Sequence, residues 1–342
     1  MTQTASILFA TNRKLLSKTG NIATFGDVPE DKPDPGLICG AVEVAGIDIA
    51  RPQQGVINTM SALTTGGFDD GAMQALKTST KNVLIFVHGA SNTFEDAVTR
   101  GAYNKLWLAK DGAASDFDLV AYSWPARTYQ YWNLLDDATG YRHDQAEAAA
   151  SAVQFGKFLA QVQRIRAVIG TRKLNLLCHS MGNYTLGFGV GQWAKDHPVA
   201  AAAPLFDNAV LAAADEFATT FTTPDRGRLA TLKSLAKRIT VYFNYDDVLM
   251  HLSHIANGDF RLGYDGPPNR ADKTIFDAAT YAMVDCTGVN DYISTLLEQP
   301  DQSHQYYRQS PTVRKDIAAT LRGEVPKRPH YDAKTNAYSL FS

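Results

Sequence analysis

Five apolar residues in a row, Val83-Leu84-Ile85-Phe86-Val87, stop abruptly at His88-Gly89-Ala90-Ser91-Asn92. An uninterrupted run this short suits a strand buried on both faces, because a half-exposed strand would alternate apolar with polar residues. The pattern recurs. Residues 119–124 form a second run, stopped by Pro125, and Leu174-Asn175-Leu176-Leu177-Cys178 form a third. Residues 206–213, 239–243 and 281–286 read as further strands. Between them lie helical patterns at residues 93–110, at 136–168 with Val153, Phe155, Phe158, Leu159 and Val162 on the apolar side, and from about Met181 onward. Strand, helix, strand with short connections predicts a mainly parallel central sheet flanked by helices.

The 342 residues contain no internal repeat, low-complexity tract or linker, so one domain over residues 1–342 is expected. Residues 1–80 supply N-terminal strands and loops, with strands at 6–11 and 38–49, a polar Pro-rich stretch at 27–36 and a loop at Gly66-Gly67. Residues 81–322 form the core, and 323–342 a polar, irregular C-terminal extension. The formal net charge of −2 gives no electrostatic reason to expect nucleic acid or an anionic membrane as partner. Cys39, Cys178 and Cys286 are an odd count without metal-like spacing, which points to a reducing compartment. No stretch approaches the roughly 18 apolar residues of a membrane span, and residues 1–10 lack the features of a signal peptide. The expected location is cytoplasmic; the oligomeric state is not readable.

The third run leads directly into Ser180-Met181-Gly182 and a helical pattern. A hydroxyl on a sharp strand-to-helix turn stands clear of its neighbours above the sheet, which is the nucleophile elbow of the α/β-hydrolase fold. The turn favours small residues two positions either side; Gly182 satisfies this, and Cys178 replaces the usual Gly. An isolated Ser at such a junction would more simply be a helix cap. Here the buried strand before it, the helix after it and Gly182 favour a nucleophile. The helix start also offers free N–H groups and a positive dipole end to a developing oxyanion. In this architecture a second donor comes from the loop after an earlier strand, so the N–H groups of Met181 and Ala90 are the expected oxyanion hole. Gly89, Ser91 and Trp124 are expected to face the substrate.

The segments VLIFVHGASNTFEDA at 83–97, Tyr122-Ser123-Trp124-Pro125, CHSMGN at 178–183 and Ala214-Asp215-Glu216-Phe217 resemble prokaryotic α/β hydrolases grouped as a domain of unknown function. Ala10-Thr11-Asn12-Arg13-Lys14 and Phe25-Gly26 resemble that family's opening, so the likeness runs from about residue 7 to 320. It implies an α/β-hydrolase fold and leaves the substrate open.

A serine nucleophile needs a base and an acid, which in this fold follow it in the order Asp or Glu, then His. His304 lies beyond the last strand in Gln302-Ser303-His304-Gln305-Tyr306-Tyr307, where the fold delivers its base; the resembled family also places a His before such a Tyr pair. His251 and His254, three apart, suit a surface or packing role better than a metal site. For the acid, Asp247 fits an Asn244-x-x-Asp247 pattern, with Asp246 and Asp215 as alternatives. Aromatics near strand ends (Trp124, Tyr129, Tyr131, Trp132, Tyr306, Tyr307) are core packing or an apolar acyl pocket. Residues 214–237 are too short for a large lid, so a small or absent cap is expected, built in part by residues 125–140.

The expected activity is hydrolysis of a small-molecule carboxylic ester or thioester through an acyl-enzyme on Ser180, with no cofactor and no metal. Acyl transfer would use the same groups, and a non-catalytic binding or scaffold protein of this fold is the competing class. No Gly-x-Gly-x-x-Gly or Gly-x-x-x-x-Gly-Lys-Ser/Thr run follows any strand, which argues against a nucleotide enzyme.

Overall fold

In the computed structural model, which describes residues 1–29, 36–52, 54–110, 112, 116–129, 138–197, 204–222, 227–293 and 302–341, the apolar runs become sheet neighbours. β6 (Asn82–Val87) lies between β7 (Phe117–Ser123) and β8 (Leu174–His179), parallel to both; Ile85 sits opposite Val120 on one side and Leu176 on the other. β9 (Phe206–Ala212), β10 (Ala236–Phe243) and β11 (Tyr281–Asp285) extend the parallel array beyond β8. Parallel neighbours require crossovers, supplied by α2 (Phe94–Ala109), by α3 (Thr139–Ala150) with α4 (Ala152–Val168), and by α5 (Gly182–Asp196).

The period of two sorts β6 between two cores. Val83, Ile85 and Val87 join Phe155, Phe158 and Leu159 of α4 and Leu186 of α5. Leu84 and Phe86 join Val98, Ala102 and Trp107 of α2 and Ile317 of α10 (Pro311–Arg322). Each such burial stabilises by about 1.5–3 kcal/mol, and the absence of a polar face explains why the run carries no polar residue.

The flanks depart from expectation. β1 (Gln3–Thr11) runs parallel to β7, with β4 (Ile38–Ile47) and then β5 (Val56–Thr65) antiparallel beyond it. β5, the hairpin β2 (Arg13–Thr19) with β3 (Ile22–Pro29), and α1 (Asp70–Thr78) were not expected from the sequence. The chain end is not irregular: β12 (His330–Asp332) pairs with β13 (Ala337–Ser339), which lies parallel to β11. Among the described residues one sheet of eleven strands therefore has the order β12-β13-β11-β10-β9-β8-β6-β7-β1-β4-β5. The expected long helix is two helices, broken at Ser151, whose hydroxyl donates to the Glu147 carbonyl at 2.8 Å and lies 2.9 Å from Asn12 Nδ2. Such back-bonding competes with the helix's own ladder.

Shorter pieces complete the chain: α6 (Leu232–Leu235), α7 (Val248–Asn257), α8 (Leu262–Asp265), a 3-10 turn (Gln302–His304) and α9 (Tyr306–Gln309). Cys39, Cys178 and Cys286 are free and buried. Among the described residues no helix is long and apolar enough to cross a membrane. The loops after β6, β8, β9 and β10 leave the carboxyl edge of the parallel sheet together. Three non-glycine residues there hold a left-handed backbone: Ser91 at φ 53°, Ser180 at φ 54° and Ala213 at φ 46°. Each costs on the order of 1 kcal/mol, so the surrounding contacts must hold them.

Candidate active site

Ser180 sits between the last residue of β8 and the first turn of α5. Its N–H donates to the Ala212 carbonyl at 3.0 Å, continuing the sheet, while its carbonyl accepts from Asn183 N–H at 3.0 Å and from Asp215 N–H at 3.1 Å. The crossing is tight. A Cβ on Gly182 would lie 2.5 Å from the His88 carbonyl oxygen, and one on Gly89 would lie 2.8 Å from Ser180 Cβ. Both positions therefore need glycine. Cys178 makes no such demand, since it is buried in the same core cluster as Leu174, Leu176 and Leu186.

The loop after β6 is held by buried polar groups. His88 donates from Nδ1 to the Gly89 carbonyl (2.7 Å) and accepts at Nε2 from Trp124 N–H (3.1 Å). The Trp124 indole N–H returns to the His88 carbonyl at 2.9 Å, and the two rings stack with 1° between their planes. Burial, then Arg13, pushes the His88 pKa well below its ordinary range, so this imidazole is neutral. Arg13, itself buried, donates to the Asn92 carbonyl (2.7 Å), the Ala126 carbonyl (3.1 Å) and Ser123 Oγ (2.9 Å). Asp144 of α3 accepts from Ser91 N–H and Arg127 N–H, both at 2.8 Å, which ties this loop to the one after β7. Burial, opposed by those two N–H groups and by Arg13, pushes the Asp144 carboxyl up to about 7. Among the described residues the N–H groups of Ala90 and Met181 have no acceptor.

Beyond β10, Asp247 caps α7, accepting at Oδ1 from Met250 N–H at 3.0 Å. Its Oδ2 accepts from His304 Nδ1 at 2.8 Å, and both side chains are buried. Burial pushes the Asp247 carboxyl up, opposed by His304 and by the N–H groups of Met250 and Leu249. Asn244 explains its place in the pattern: its Nδ2 donates to the Ser303 carbonyl at 3.1 Å, joining the β10 loop to the turn that carries His304. Tyr306 fixes the same segment from below, its hydroxyl donating to the Tyr242 carbonyl and accepting from Ala213 N–H, both at 2.8 Å. His179 Nε2 lies 3.2 Å from the His304 carbonyl, and the His179 ring stacks on Tyr307 at 4.3 Å.

A cavity of about 160 Å³ opens on this edge. Ser180, His304, Gly89, Ala90 and Ser91 line it, together with Asn92, His179, Arg100, Leu249 and Gln305. With Nδ1 directed to Asp247, Nε2 is the His304 nitrogen left for a neighbour in the cavity.

Other expected residues lie elsewhere. Trp124 is fully buried beneath the β6 loop and holds His88 instead of facing the cavity. Tyr306 and Tyr307 are buried anchors, not pocket walls. Asp215 meets Ser180 only through its backbone; its carboxylate pairs with Arg261 Nε (2.7 Å) and accepts from Ser253 Oγ (2.6 Å) and Tyr141 (3.0 Å). Asp246 accepts from Gly288 N–H at 3.0 Å, away from His304. Tyr131, Trp132 and most of the expected cap segment lie outside the described residues. Asp144 and Arg100 sit in no motif, and Arg13 stands in a segment that resembles the family's opening without any sign there of its contacts. Each is placed by a contact with a distant part of the chain.

The chain is similar to a cold-adapted esterase from an Arctic intertidal metagenomic library, at 10% identity and a TM-score of 0.41, covering 86% of this chain and 91% of that one. It is also similar to esterase B from Lactobacillus Rhamnosis, at 11% identity and a TM-score of 0.38, covering 94% and 84% respectively. No curated protein matches the chain. A family model matches residues 70–322, well over half of the chain, and by that match the protein belongs to the family described as alpha/beta hydrolase of unknown function (DUF900).

Proposed function

We propose that the protein is a serine hydrolase that cleaves a carboxylic ester or thioester through an acyl-enzyme on Ser180. The observation that supports this most is one cavity lined by Ser180, on its left-handed turn, and by His304, whose other ring nitrogen is held by the buried Asp247 carboxylate.

In this reading His304 Nε2 takes the Ser180 Oγ proton as Oγ attacks the carbonyl carbon. The carbonyl π electrons move onto oxygen, where the Ala90 and Met181 N–H groups stabilise the negative charge. The tetrahedral adduct collapses, His304 protonates the departing alkoxide or thiolate, and the acyl group remains on Oγ. Water then repeats the sequence and releases the acid. Asp247 keeps the His304 proton on Nδ1 and stabilises the imidazolium that forms in each half-reaction. Neutral His88 and His179 flank the nucleophile without competing for its proton, since burial keeps both pKa values well below the ordinary range.

The test is covalent labelling. A fluorophosphonate probe is expected to modify wild-type protein at Ser180 and to leave Ser180→Ala unmodified, as read by intact mass. A folded wild type that takes up no label rejects the assignment.

A further inference from the structure

The cavity at Ser180 carries a charge that the acyl-transfer steps leave unused. Arg100, on the second turn of α2, is one of its walls. Among the described residues its guanidinium makes one hydrogen bond, from Nε to Gln54 Oε1 at 3.3 Å, and no carboxylate lies within ion-pair distance. The acid one turn earlier on the same helix is committed elsewhere: Asp96 Oδ2 accepts from Thr93 N–H (2.9 Å) and Thr93 Oγ1 (2.8 Å) in the capping box. Among the described residues that line the cavity, none is acidic. Arg100 also acts on the site's charge balance. After burial and His304, it is a further influence that disfavours a proton on His179.

A second donor stands nearby. Arg308 Nε donates to Gln305 Oε1 at 2.7 Å, which leaves the NH₂ end of that cavity-lining amide for another acceptor. Apart from Leu249 the described walls offer no large apolar side chain, and about 160 Å³ is small beside the roughly 300–1,000 Å³ of pockets that enclose larger ligands. A long acyl chain finds neither the length nor the lining it needs. A cation with no counter-ion among the described residues, in a small cavity edged by donors, attracts an anion.

We propose that the ester cleaved at Ser180 is small and carries a carboxylate, and that Arg100 is the specificity-determining residue that binds this carboxylate, with the Gln305 amide as second donor. The inference rests on the reading of Ser180 as nucleophile and adds the substrate class. Arg supplies two parallel N–H donors to a carboxylate, a geometry Lys does not reproduce.

Two matched pairs of esters test it and locate the charge. On the acyl side, 4-nitrophenyl hydrogen glutarate is compared with 4-nitrophenyl valerate. On the leaving side, 4-acetoxybenzoate is compared with phenyl acetate. The wild type is expected to favour the anionic member of one pair by roughly tenfold or more in kcat/KM, the size of a charge-assisted hydrogen-bond pair. Arg100→Gln should collapse that ratio towards one, Arg100→Lys should retain part of it, and Arg100→Glu should invert it. Ratios near one in the wild type, or ratios unchanged in Arg100→Gln, overturn the proposal. Fluorophosphonate labelling in the same preparations separates the two levels. Label without charge preference overturns the substrate class and keeps the hydrolase; folded wild type without label overturns the hydrolase. If neither pair is turned over, free glutarate is expected to slow labelling of the wild type and not of Arg100→Gln. Failure to do so overturns the proposal.

Discussion

Asp215 and Asp247 follow neighbouring strands of one sheet, both are buried, and both accept short hydrogen bonds, yet their surroundings make them different groups. Asp215 faces Arg261, and around the pair Tyr141, Ser253 and Asn257 close a ring of hydrogen bonds. Burial pulls the Arg261 pKa down; Asp215, Tyr141 and Glu216 more than offset this, so the cation persists at every accessible pH. Asp247 faces only a histidine and backbone N–H groups. An arginine partner fixes a charge, whereas a histidine partner allows it to come and go. The first arrangement suits a structural brace, and the second suits a proton-transfer chain.

The largest effect that could break this contrast is on turnover. Asp247→Asn preserves the helix cap, since Asn caps nearly as well as Asp, but no longer holds the His304 tautomer. An activity loss on the order of 10⁴-fold is expected, with stability changed by less than about 1 kcal/mol, measured as acylation rate and urea midpoint. If Asp215→Asn gives that loss and Asp247→Asn does not, the roles are reversed.

Next comes stability. Arg261→Met strands the Asp215 carboxylate in the interior and is expected to cost about 3–5 kcal/mol in urea unfolding. Labelling per folded molecule should stay closer to wild type than in Asp247→Asn. An unchanged unfolding midpoint would mean the ring around Asp215 is not a brace.

The smallest effect concerns a third buried carboxylate, Asp144, which is held by two backbone N–H groups and has its pKa pushed up to about 7 from the ordinary 3.8. Between those values the folded state binds the proton more tightly than the unfolded one. Its contribution is therefore fully present below pH 4 and is lost as pH rises through 7. Comparing unfolding free energies of wild type and Asp144→Asn from pH 5 to 8 should show the wild-type advantage declining with pH, by at most about 1.4 kcal/mol per pH unit for one proton. A flat difference would show that Asp144 stays charged.

What could be read in advance follows the same physics. β6, β7 and β8 are buried on both faces, so their sequences are uniformly apolar and announce themselves. β5 is an edge strand exposed at most of its positions, so Val56-Ile57-Asn58-Thr59 carries no core pattern; the three-residue β12 and β13 are too short to have one. Ser180 and His304 could be named as candidates because chain order and strand ends restrict where such groups fall. The choice among Asp215, Asp246 and Asp247 could not be made from the sequence, because it depends on which carboxylate meets His304 and which meets Arg261, at sequence separations of 57 and 46. Arg100 reads in the sequence as an ordinary polar helix residue. Only the helix's close approach to the cavity, and the commitment of Asp96 to the cap, set it apart.

The tie between Arg13 and the β6 loop bears on what counts as a separable unit. The family match begins at residue 70, yet the side chain that grips the Asn92 carbonyl comes from residue 13. Thr11 likewise donates to the Ser123 carbonyl at 2.7 Å, and Asn12 accepts from the Tyr122 hydroxyl at 3.1 Å. A protein trimmed to residues 70–322 would lose β1, β4 and β5 on one flank and β12 and β13 on the other, baring the unpaired edges of β7 and β11 to any passing chain. It would also release the backbone beside Ala90. The boundary drawn by kinship thus cuts through a physically indivisible object, and excision would compromise solubility and the donor loop together.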